Sequence, residues 1–523
     1  MAPARNTHLN QALMRIPRRS ESVDRHTLAR TFVGAGSLSA LLHSTDHQIL
    51  YGRRGTGKTH ALLYLGDMVD RTGDVAVYLD LRTIGSAGGL YADPNVSQAH
   101  RGTILLVDTL EAIHDQLLGL AVERAVPNQD ALLRALDALA EAATSIEVIG
   151  EVERETTVGG AAESTRTTDG SASLGFGGVH VNIRAAAAER AAMTAESRSR
   201  RTGVERHHVI FGPLNRALRA VVDSLAPARI WLLLDEWSSI PLDLQPLLAD
   251  LLRRSVLPTP GITVKIAAIE RRSRFRHVRD SGEYVGIEVG ADAASAVSLD
   301  DFLIFDNVQN RAADFFSKLF YNHTSTRLPA NTQAQLTTPE AFIQSAFKKG
   351  GFAELVRATE GVPRDAINIA ALAAQQARAE SIGILDVRRA ARDWYLRDKQ
   401  TAITANDSAR QLLRKLVDEV VGRRQSRTFL LDQLAASMQE GIYELYDARL
   451  LHVLRRGILD RKNPGTQYDG FAIDYGCYVA LLLDGSFQLR ARSRELWLNA
   501  PEGVPLDNFS MERSVLDPGT LAS

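Results

Sequence analysis

The chain has 523 residues, of which 45% are hydrophobic and 24% are charged, a composition far from that of disordered proteins. Its 61 Lys and Arg nearly balance its 62 Asp and Glu, which gives a formal net charge of −1. This balance excludes a uniformly basic nucleic-acid coat and an acidic solvating protein, so any binding of a polyanion must be local. At a prior of roughly 150 residues per domain, the length predicts about two to four domains.

The sequence gives no sign of secretion or membrane insertion. Its single cysteine, Cys477, cannot form an internal disulfide, and residues 1–19 lack an apolar stretch followed by a cleavage site. The most apolar helical stretch, residues 104–122, is interrupted by acidic residues. We therefore predict a cytoplasmic protein with no membrane partner.

The first part of the chain has the pattern of an α/β domain. Residues 1–27 are polar and basic and predict a flexible N-terminal segment, whereas short apolar runs and helical patterns alternate over residues 28–300. Nearly continuous apolar strands separated by helices are typical of a parallel sheet covered on both faces. The predicted strands are 48–51, 75–81, 230–234 and 262–269, and the predicted helices include 60–69 and 103–124.

Residues 145–208 interrupt this predicted core. Period-two alternation on both sides of a Gly-, Thr- and Ser-rich stretch, residues 156–173, predicts a long inserted β-hairpin. A basic stretch follows at residues 198–206, whose arginines either face phosphates or stay hydrated.

The second part of the chain is mainly helical. Five helical patterns over residues 301–400 predict a helical lid, near 302–320, 339–348, 352–358, 364–379 and 385–397. Residues 401–490 contain three more helical patterns and then two strands around Asn463, an order that matches a winged helix. The three helical patterns are 409–420, 430–438 and 442–454. Residues 491–523 are assigned to a C-terminal tail, loose after Trp497.

The segment from Gly52 to Thr59 reads GRRGTGKT and matches the phosphate-loop pattern G-x-x-x-x-G-K-[ST]. Glycines let successive backbone N–H groups point at phosphate oxygens, Lys58 reaches the β and γ phosphates, and the Thr59 hydroxyl ligates magnesium. The match falls between a predicted strand and a predicted helix, as the motif requires. The predicted cofactors are ATP and magnesium, and the predicted nucleotide-binding residues are Gly52, Arg53, Arg54, Gly55, Thr56, Gly57, Lys58, Thr59 and His60.

A pair of acids follows the third predicted strand. The run Leu232–Leu234 ends in Asp235 and Glu236, which is the pattern of a Walker B motif. In that motif the first carboxylate faces magnesium, and the second orients or deprotonates the attacking water. We therefore assign Thr59 and Asp235 to the metal and Glu236 to catalysis.

These motifs, together with the helical segment that contains Gly361-Val-Pro-Arg364-Asp365, resemble the AAA+ class of ATPases. Within that class the chain looks like the origin-recognition and cell-division-control initiator clade, and the related STAND signalling ATPases share much of the pattern. The resemblance covers residues 28–400 and extends to about 490 with the winged helix. It implies an α/β P-loop NTPase core with a helical lid, and Arg364 matches the sensor-two position that contacts the γ phosphate.

The sequence departs from the initiator pattern in two places. Ile269, at the end of the fourth strand, is followed by Glu270 and Arg271, so no sensor-one residue is assigned. The candidates for an arginine finger, which completes a neighbour's site in AAA+ assemblies, are Arg271, Arg272, Arg274 and Arg276. The same cluster also suits a solvated or DNA-facing loop. The inserted hairpin is absent from the plain initiator pattern.

The winged helix offers a DNA-binding surface. The candidate recognition helix is 443–454, with Arg449, His452, Arg455 and Arg456, and the candidate wing tip carries Arg461, Lys462 and Asn463. Winged helices also serve as protein-interaction modules, so the sequence does not decide between DNA and a protein as the partner.

Two functions follow. The first is a slow, partner-stimulated ATPase that forms homo-oligomers through Arg271 or Arg272, binds duplex DNA with its winged helix and resets by hydrolysis, with Lys58, Glu236 and Arg364 as further catalytic residues. The alternative is a STAND-like signalling or scaffold ATPase that recruits a protein effector, as in phage defence or the regulation of a mobile element.

Overall fold

The structure, a computed structural model, describes residues 2–20, 23–34, 38–84, 97–123, 126–144, 148–149, 206–207, 211–279, 282–292, 295–300, 309–424, 426–434, 436–460, 463–483 and 515–517. The chain divides into two compact units. The first comprises Met1–Thr72, Lys265–Ser273 and Ala294–Ser523, and the second comprises Gly73–Val264 and Arg274–Ala293. This division cuts across the predicted core of residues 28–300.

The strands of the described residues are β1 (Gln48–Tyr51), β2 (Val75–Asp80), β3 (Val148–Ile149), β4 (Arg206–His207), β5 (Ile230–Asp235), β6 (Ile262–Ala268), β7 (Arg276–Val278), β8 (Tyr284–Gly286), β9 (Ser295–Ser298), β10 (Thr428–Asp432), β11 (Leu451–Leu459) and β12 (Gln467–Ile473). The α-helices are Ala2–Met14, Arg25–Thr31, Leu38–Leu42, Lys58–Arg71, Gln98–Glu123, Gln129–Thr144, Phe211–Leu225, Gln245–Leu251, Gln309–Thr324, Ala330–Gln333, Pro339–Ala346, Gly351–Thr359, Pro363–Ala377, Ile384–Trp394, Asp407–Leu416, Ala436–Asp447 and Tyr475–Leu483.

A five-stranded sheet has the order β2-β5-β6-β1-β9 among the described residues. Strand β1 runs parallel to β6 and β9, and β2 runs parallel to β5. Every residue of β5 is buried, as expected for a continuous apolar run inside a parallel sheet. The predicted α/β sheet is therefore confirmed, and β9 is an additional strand that the sequence analysis did not identify.

The second unit surrounds β2 and β5 with helices. The helix Phe211–Leu225 buries Leu214, Leu218, Val221 and Leu225, whose spacing of three or four residues gives one apolar face. The short strands β3 and β4 pair in antiparallel fashion. Most of the predicted inserted hairpin, residues 145–208, and its basic stretch lie outside the described residues.

The first unit contains β1, the helical lid and the C-terminal elements, and the lid, the C-terminal elements and the N-terminal helix share one hydrophobic core. All five predicted lid helices have counterparts, although the first begins at Gln309. Pro363 stands at the first position of its helix, where a missing N–H costs no hydrogen bond.

The N-terminal segment was expected to be flexible, and this expectation is wrong for its described part. Residues Ala2–Met14 form a helix in which Leu9 and Leu13 are fully buried in the core of the first unit. Asn10 donates hydrogen bonds through Nδ2 to the carbonyls of Arg378 and Glu380, at 2.8 and 2.9 Å. Burial of two leucines and these bonds hold the segment against the lid.

The C-terminal domain, defined here as residues 407–483, differs from the predicted winged helix. The predicted helix 430–438 is wrong at its start, because Thr428–Asp432 forms strand β10. The predicted recognition helix 443–454 is also wrong, because the helix ends at Asp447 and Leu451 begins β11. Strands β10, β12 and β11 form an antiparallel sheet in that order, so long-range strand pairing prevails over the local helical pattern.

A short part of the C-terminal tail is also ordered, contrary to the expectation of a loose segment. Val515 forms a parallel bridge with Leu430 of the edge strand β10, and Leu516 N donates to Leu430 O at 2.8 Å. Leu516 is 1% exposed, so its side chain belongs to the core.

None of the helices in the described residues is long and apolar enough to cross a membrane.

Candidate functional site

The phosphate loop of the first unit lies between β1 and the helix Lys58–Arg71, as the sequence predicted. Gly52 N donates to Ala268 O at 3.2 Å, which fixes the start of the loop. Gly55 and Gly57 have φ values of 88° and 96°, a left-handed conformation in which glycine avoids strain. The helix then begins at Lys58, and its first amides have no acceptor within the helix. The loop thus ends at the positive end of a helix, which favours an anion.

The ammonium group of Lys58 lies inside this loop. Its Nζ donates to the carbonyls of Gly52 and Arg53 at 2.8 and 3.1 Å. The Thr56 hydroxyl donates to the same Arg53 carbonyl at 2.9 Å. A positive charge is therefore held at the mouth of a curled backbone, which is the arrangement that the phosphates of a nucleotide need.

The lid brings Arg364 against the loop. Arg364 N donates to Gly55 O at 3.1 Å, and a Cβ built on Gly55 would lie 2.6 Å from Arg364 Cβ. The Arg364 side chain itself is exposed. The structure therefore places the predicted sensor-two residue beside the phosphate loop.

A pocket opens beside Thr56 and Gly57. Its enclosed volume is about 60 Å³, below the ~300–1,000 Å³ typical of small-molecule sites. Its lining residues are Thr31, Phe32, Val33, Leu38, Thr56, Gly57, His60, Ala61, Leu299, Phe315, Leu319, His323 and Pro363. Most of these side chains are apolar or aromatic, as a flat ring of a ligand requires.

Two imidazoles of this pocket are uncharged at neutral pH. Burial lowers the pKa of His60, whose Nε2 contacts the Leu28 carbonyl at 2.8 Å. Burial, with the nearby charges of His60 and Arg327, lowers the pKa of His323 to about 3. The rings of His60 and His323 meet edge to face, with centroids 6.1 Å apart. His60 was predicted from its position after the loop, whereas Phe32 and His323 were missed because no local motif marks them.

Arg53 was predicted to bind the nucleotide, but its side chain turns into the protein. Its Nε donates to Asp300 Oδ1 at 2.9 Å, and its backbone N donates to Asp300 Oδ2 at 2.9 Å. Burial alone would lower the pKa of Arg53, but the Asp300 carboxylate raises it above its ordinary value. Burial alone would raise the pKa of Asp300, and the charge and hydrogen bonds of Arg53 hold it low instead. Arg54, by contrast, is exposed.

Asp300 is a site residue that the sequence analysis missed. It follows β9 after a single residue, Leu299, which is the same acid-after-strand pattern that identified Asp235. The signal was therefore present in the sequence, but the preceding strand is short and half-buried and was not recognised.

In the second unit, the predicted Walker B residues stand at the end of β5. Asp235 is fully buried, accepts a hydrogen bond from the Tyr78 hydroxyl at 2.9 Å and another from Glu236 N at 2.8 Å. Each carboxylate oxygen keeps a second lone pair. Glu236 has φ 56°, uncommon for a residue with a side chain, and its carboxylate lies 4.0 Å from the Arg82 guanidinium. Thr59 belongs to the first unit and Asp235 to the second, so their shared magnesium site stays a prediction.

Three of the four arginines proposed as fingers, Arg271, Arg272 and Arg276, have side-chain contacts within their own chain. In the first unit, Arg271 lies over the Tyr443 ring, 3.5 Å from its centroid, and Arg272 Nε donates to Asp447 Oδ2 at 3.1 Å. In the second unit, Arg276 pairs with Glu288. Each contact engages part of a guanidinium group, and the Arg272 and Arg276 side chains stay 44% and 43% exposed.

The candidate DNA-binding residues are divided by the structure. Arg449 and His452 are buried at 7% and 2% exposure, so they do not face DNA in this conformation. Arg455 and Arg456 are exposed on β11, where Arg456 pairs with Glu270 at 3.2 Å. Arg461 and Lys462 lie outside the described residues.

The strand, loop and helix around Lys58 lie within an α/β fold with a parallel sheet, and the loop carries the phosphate-loop sequence pattern. No protein-family model matches the sequence, and no curated protein matches it at the significance required. Among solved structures, the chain aligns with the Aeropyrum pernix ORC1 protein in complex with DNA, at 11% identity and a TM-score of 0.31. The alignment covers 90% of this chain and 96% of the other.

Proposed function

We propose that the chain binds ATP with magnesium through residues 52–60 and hydrolyses it as an AAA+-type switch. The observation that carries this proposal is the phosphate loop itself, with the Lys58 ammonium inside it and Arg364 packed on Gly55. Beside the loop lies a pocket with a mostly apolar and aromatic lining, which is the chemistry that an aromatic base contacts. Magnesium, when bound, neutralises charge that develops on the β and γ phosphates.

The residues have distinct roles in the proposed reaction. A water oxygen bonds to the γ phosphorus while the bond from that phosphorus to the β–γ bridging oxygen breaks, which gives ADP and phosphate. Glu236 accepts the proton that the water loses and returns it to solvent. Lys58 and Arg364 stabilise the negative charge of the transferring group, and Thr59 and Asp235 hold the metal.

Turnover and binding measurements test this proposal. Wild type is expected to bind ATP and release phosphate, Lys58→Ala to lose binding, and Glu236→Gln to bind but turn over at least about 100-fold more slowly, as expected for loss of a general base. Turnover that is indifferent to Lys58 would contradict the enzyme assignment. Measurements with and without duplex DNA test whether DNA stimulates the reaction.

Fewer observations support the proposal that DNA is a partner. Its support is the sheet-and-helix C-terminal domain with Arg455 and Arg456 exposed on β11. A salt-dependent affinity for duplex DNA that falls in an Arg455→Ala, Arg456→Ala double variant would support it.

A second candidate is the STAND-like signalling ATPase. The engagement of Arg271 by Tyr443 and of Arg272 by Asp447 within one chain favours it, because these arginines then hold a conformation instead of completing a neighbour's site. Size measurement with a non-hydrolysable ATP analogue separates the two candidates. Assembly that depends on Arg271 or Arg272 supports the oligomeric switch, and a monomer that gains a protein partner supports the alternative.

A further inference from the structure

The side chain of Arg53 leaves the phosphate loop and enters the C-terminal domain. Its guanidinium lies over the Tyr446 ring, 4.7 Å from the centroid, and Nη1 contacts His452 Nδ1 at 2.8 Å. Arg53 is 6% exposed, so these contacts replace its hydration. One residue of the predicted nucleotide-binding loop is therefore held by residues about 400 positions further along the chain.

The chemistry of the contact fixes the state of His452. A guanidinium has only donors, so His452 Nδ1 accepts and Nε2 carries the proton. That Nε2 lies 3.0 Å from Asp474 Oδ1 and donates to it. Burial lowers the pKa of His452, which agrees with a neutral imidazole between a cation and an anion. The ring thus connects Asp474 to Arg53 through one hydrogen bond on each side.

Asp474 in turn joins the lid. Lys399 Nζ lies 2.5 Å from Asp474 Oδ1 and 2.8 Å from Asp365 Oδ2, and all three residues are at most 2% exposed in their side chains. Arg449 also pairs with Asp365. Asp365 directly follows Arg364, whose backbone N–H contacts Gly55 O. The contacts therefore form a closed circuit that leaves the phosphate loop at Arg53 and returns to it at Gly55.

We propose that the C-terminal domain positions the phosphate loop, with His452 as the positioning residue that sets the place of Arg53. The Arg53 carbonyl accepts from both Lys58 Nζ and the Thr56 hydroxyl, so a shift of Arg53 moves the acceptors that orient the lysine. The contacts between the C-terminal domain and Arg53 thereby affect the affinity of the loop for phosphates. The ATP part of this inference rests on the proposed function, whereas the positioning of the loop does not.

The test is a His452→Phe variant of the full chain, which keeps the ring size but removes both hydrogen bonds. Without nucleotide, deuterium uptake in the peptide that spans residues 48–62 is expected to rise, since Arg53 Nη1 loses its acceptor and only the contacts with Asp300 and the Tyr446 ring remain. Affinity for ATP is expected to fall about tenfold, the typical effect of losing a hydrogen bond to a charged group. His452→Gln keeps one hydrogen-bonding group at this position. It is therefore expected to restore part of the protection from deuterium uptake and part of the affinity for ATP.

Asp469→Asn is the matched control. Asp469 is 8% exposed in the same sheet and accepts from Gln433 Nε2 and Gly457 N, neither of which belongs to the phosphate loop. It is expected to loosen the C-terminal sheet without changing uptake at residues 48–62 or ATP affinity.

The outcomes separate the two proposals. Unchanged uptake at residues 48–62 in His452→Phe, or an equal rise in Asp469→Asn, overturns the positioning role. A rise in His452→Phe alone, with no ATP binding by wild type, supports positioning and refutes the proposed function. If His452→Phe does not fold, the same comparison is made with His452→Gln, where unchanged uptake overturns the role.

Discussion

The phosphate loop and the C-terminal domain are built by different kinds of interaction. Two glycines in the left-handed conformation, a strand before and a helix after shape the loop, all within residues 48–71. The C-terminal domain depends on buried charges from distant segments, such as Lys399 between Asp365 and Asp474. The comparison teaches that a local motif identifies the loop, whereas the surroundings that hold it in place come from far along the chain.

The largest expected effect comes from removing one of the buried charges that distant segments of the chain bring together. Lys399→Met leaves Asp365 and Asp474 buried without their shared cation, and it is expected to lower the free energy of unfolding by about 3–5 kcal/mol. Urea denaturation measures this change. The control is Lys348→Met, which removes an exposed ion pair with Glu380 and should leave the unfolding curve in place. A similar small change in both variants would show that the buried network does not hold this region.

An intermediate effect tests the local geometry of the loop. Gly55→Ala forces a side chain into φ 88° and within 2.6 Å of Arg364 Cβ, so ATP affinity is expected to fall by about 2–3 kcal/mol, of which strain contributes about 1–2. Titration with a fluorescent ATP analogue measures it. Gly73→Ala is the matched control, because Gly73 also has positive φ but nothing within 4 Å of an added Cβ. Equal ATP affinity in the two variants would contradict the role of the Gly55–Arg364 contact.

The smallest expected effect concerns acid. His323 has a pKa lowered to about 3 by burial and by the charges of His60 and Arg327, whereas an unfolded histidine titrates near pH ~6.5. Between these values the unfolded chain binds a proton that the folded chain does not, so stability falls as pH falls below about 6.5. At pH ~5.5 the loss is about 1 kcal/mol.

Comparison of His323→Gln with wild type isolates this contribution. The variant is expected to lose less stability than wild type between pH ~6.5 and ~4, since glutamine does not titrate. If the free energy of unfolding changes with pH in the same way in both proteins, the pocket does not keep His323 neutral.

Much of the sheet could be predicted from the sequence. The runs that became β1, β2, β5 and β6 are short, apolar and followed by polar residues, a pattern that only buried parallel strands satisfy well. β9 was missed because only two of its four residues, Ala296 and Val297, are apolar, and only Val297 is buried. Residues 430–432 of β10 were predicted as the start of the helix 430–438, since a short apolar run has no decisive period and its partner β12 lies far along the chain.

The candidate site divides in the same way. Lys58, Thr59 and Arg364 are marked by motifs, and the structure places Arg364 at the loop. Arg53 occupies a variable position of the motif, and its inward orientation follows from Asp300 and His452, which no spacing rule connects to it. The arginines after β6 were identified as a cluster, but their partners Tyr443 and Asp447 could not be.

The amino-acid sequence was enough to locate the phosphate loop, because its glycines, its lysine and the junction between strand and helix all lie within a short stretch of chain. Only the tertiary structure decided which charges are buried and which partner each one meets. The physical reason is that a buried ion requires a counter-ion at contact distance, and contact in space is not a function of separation along the chain.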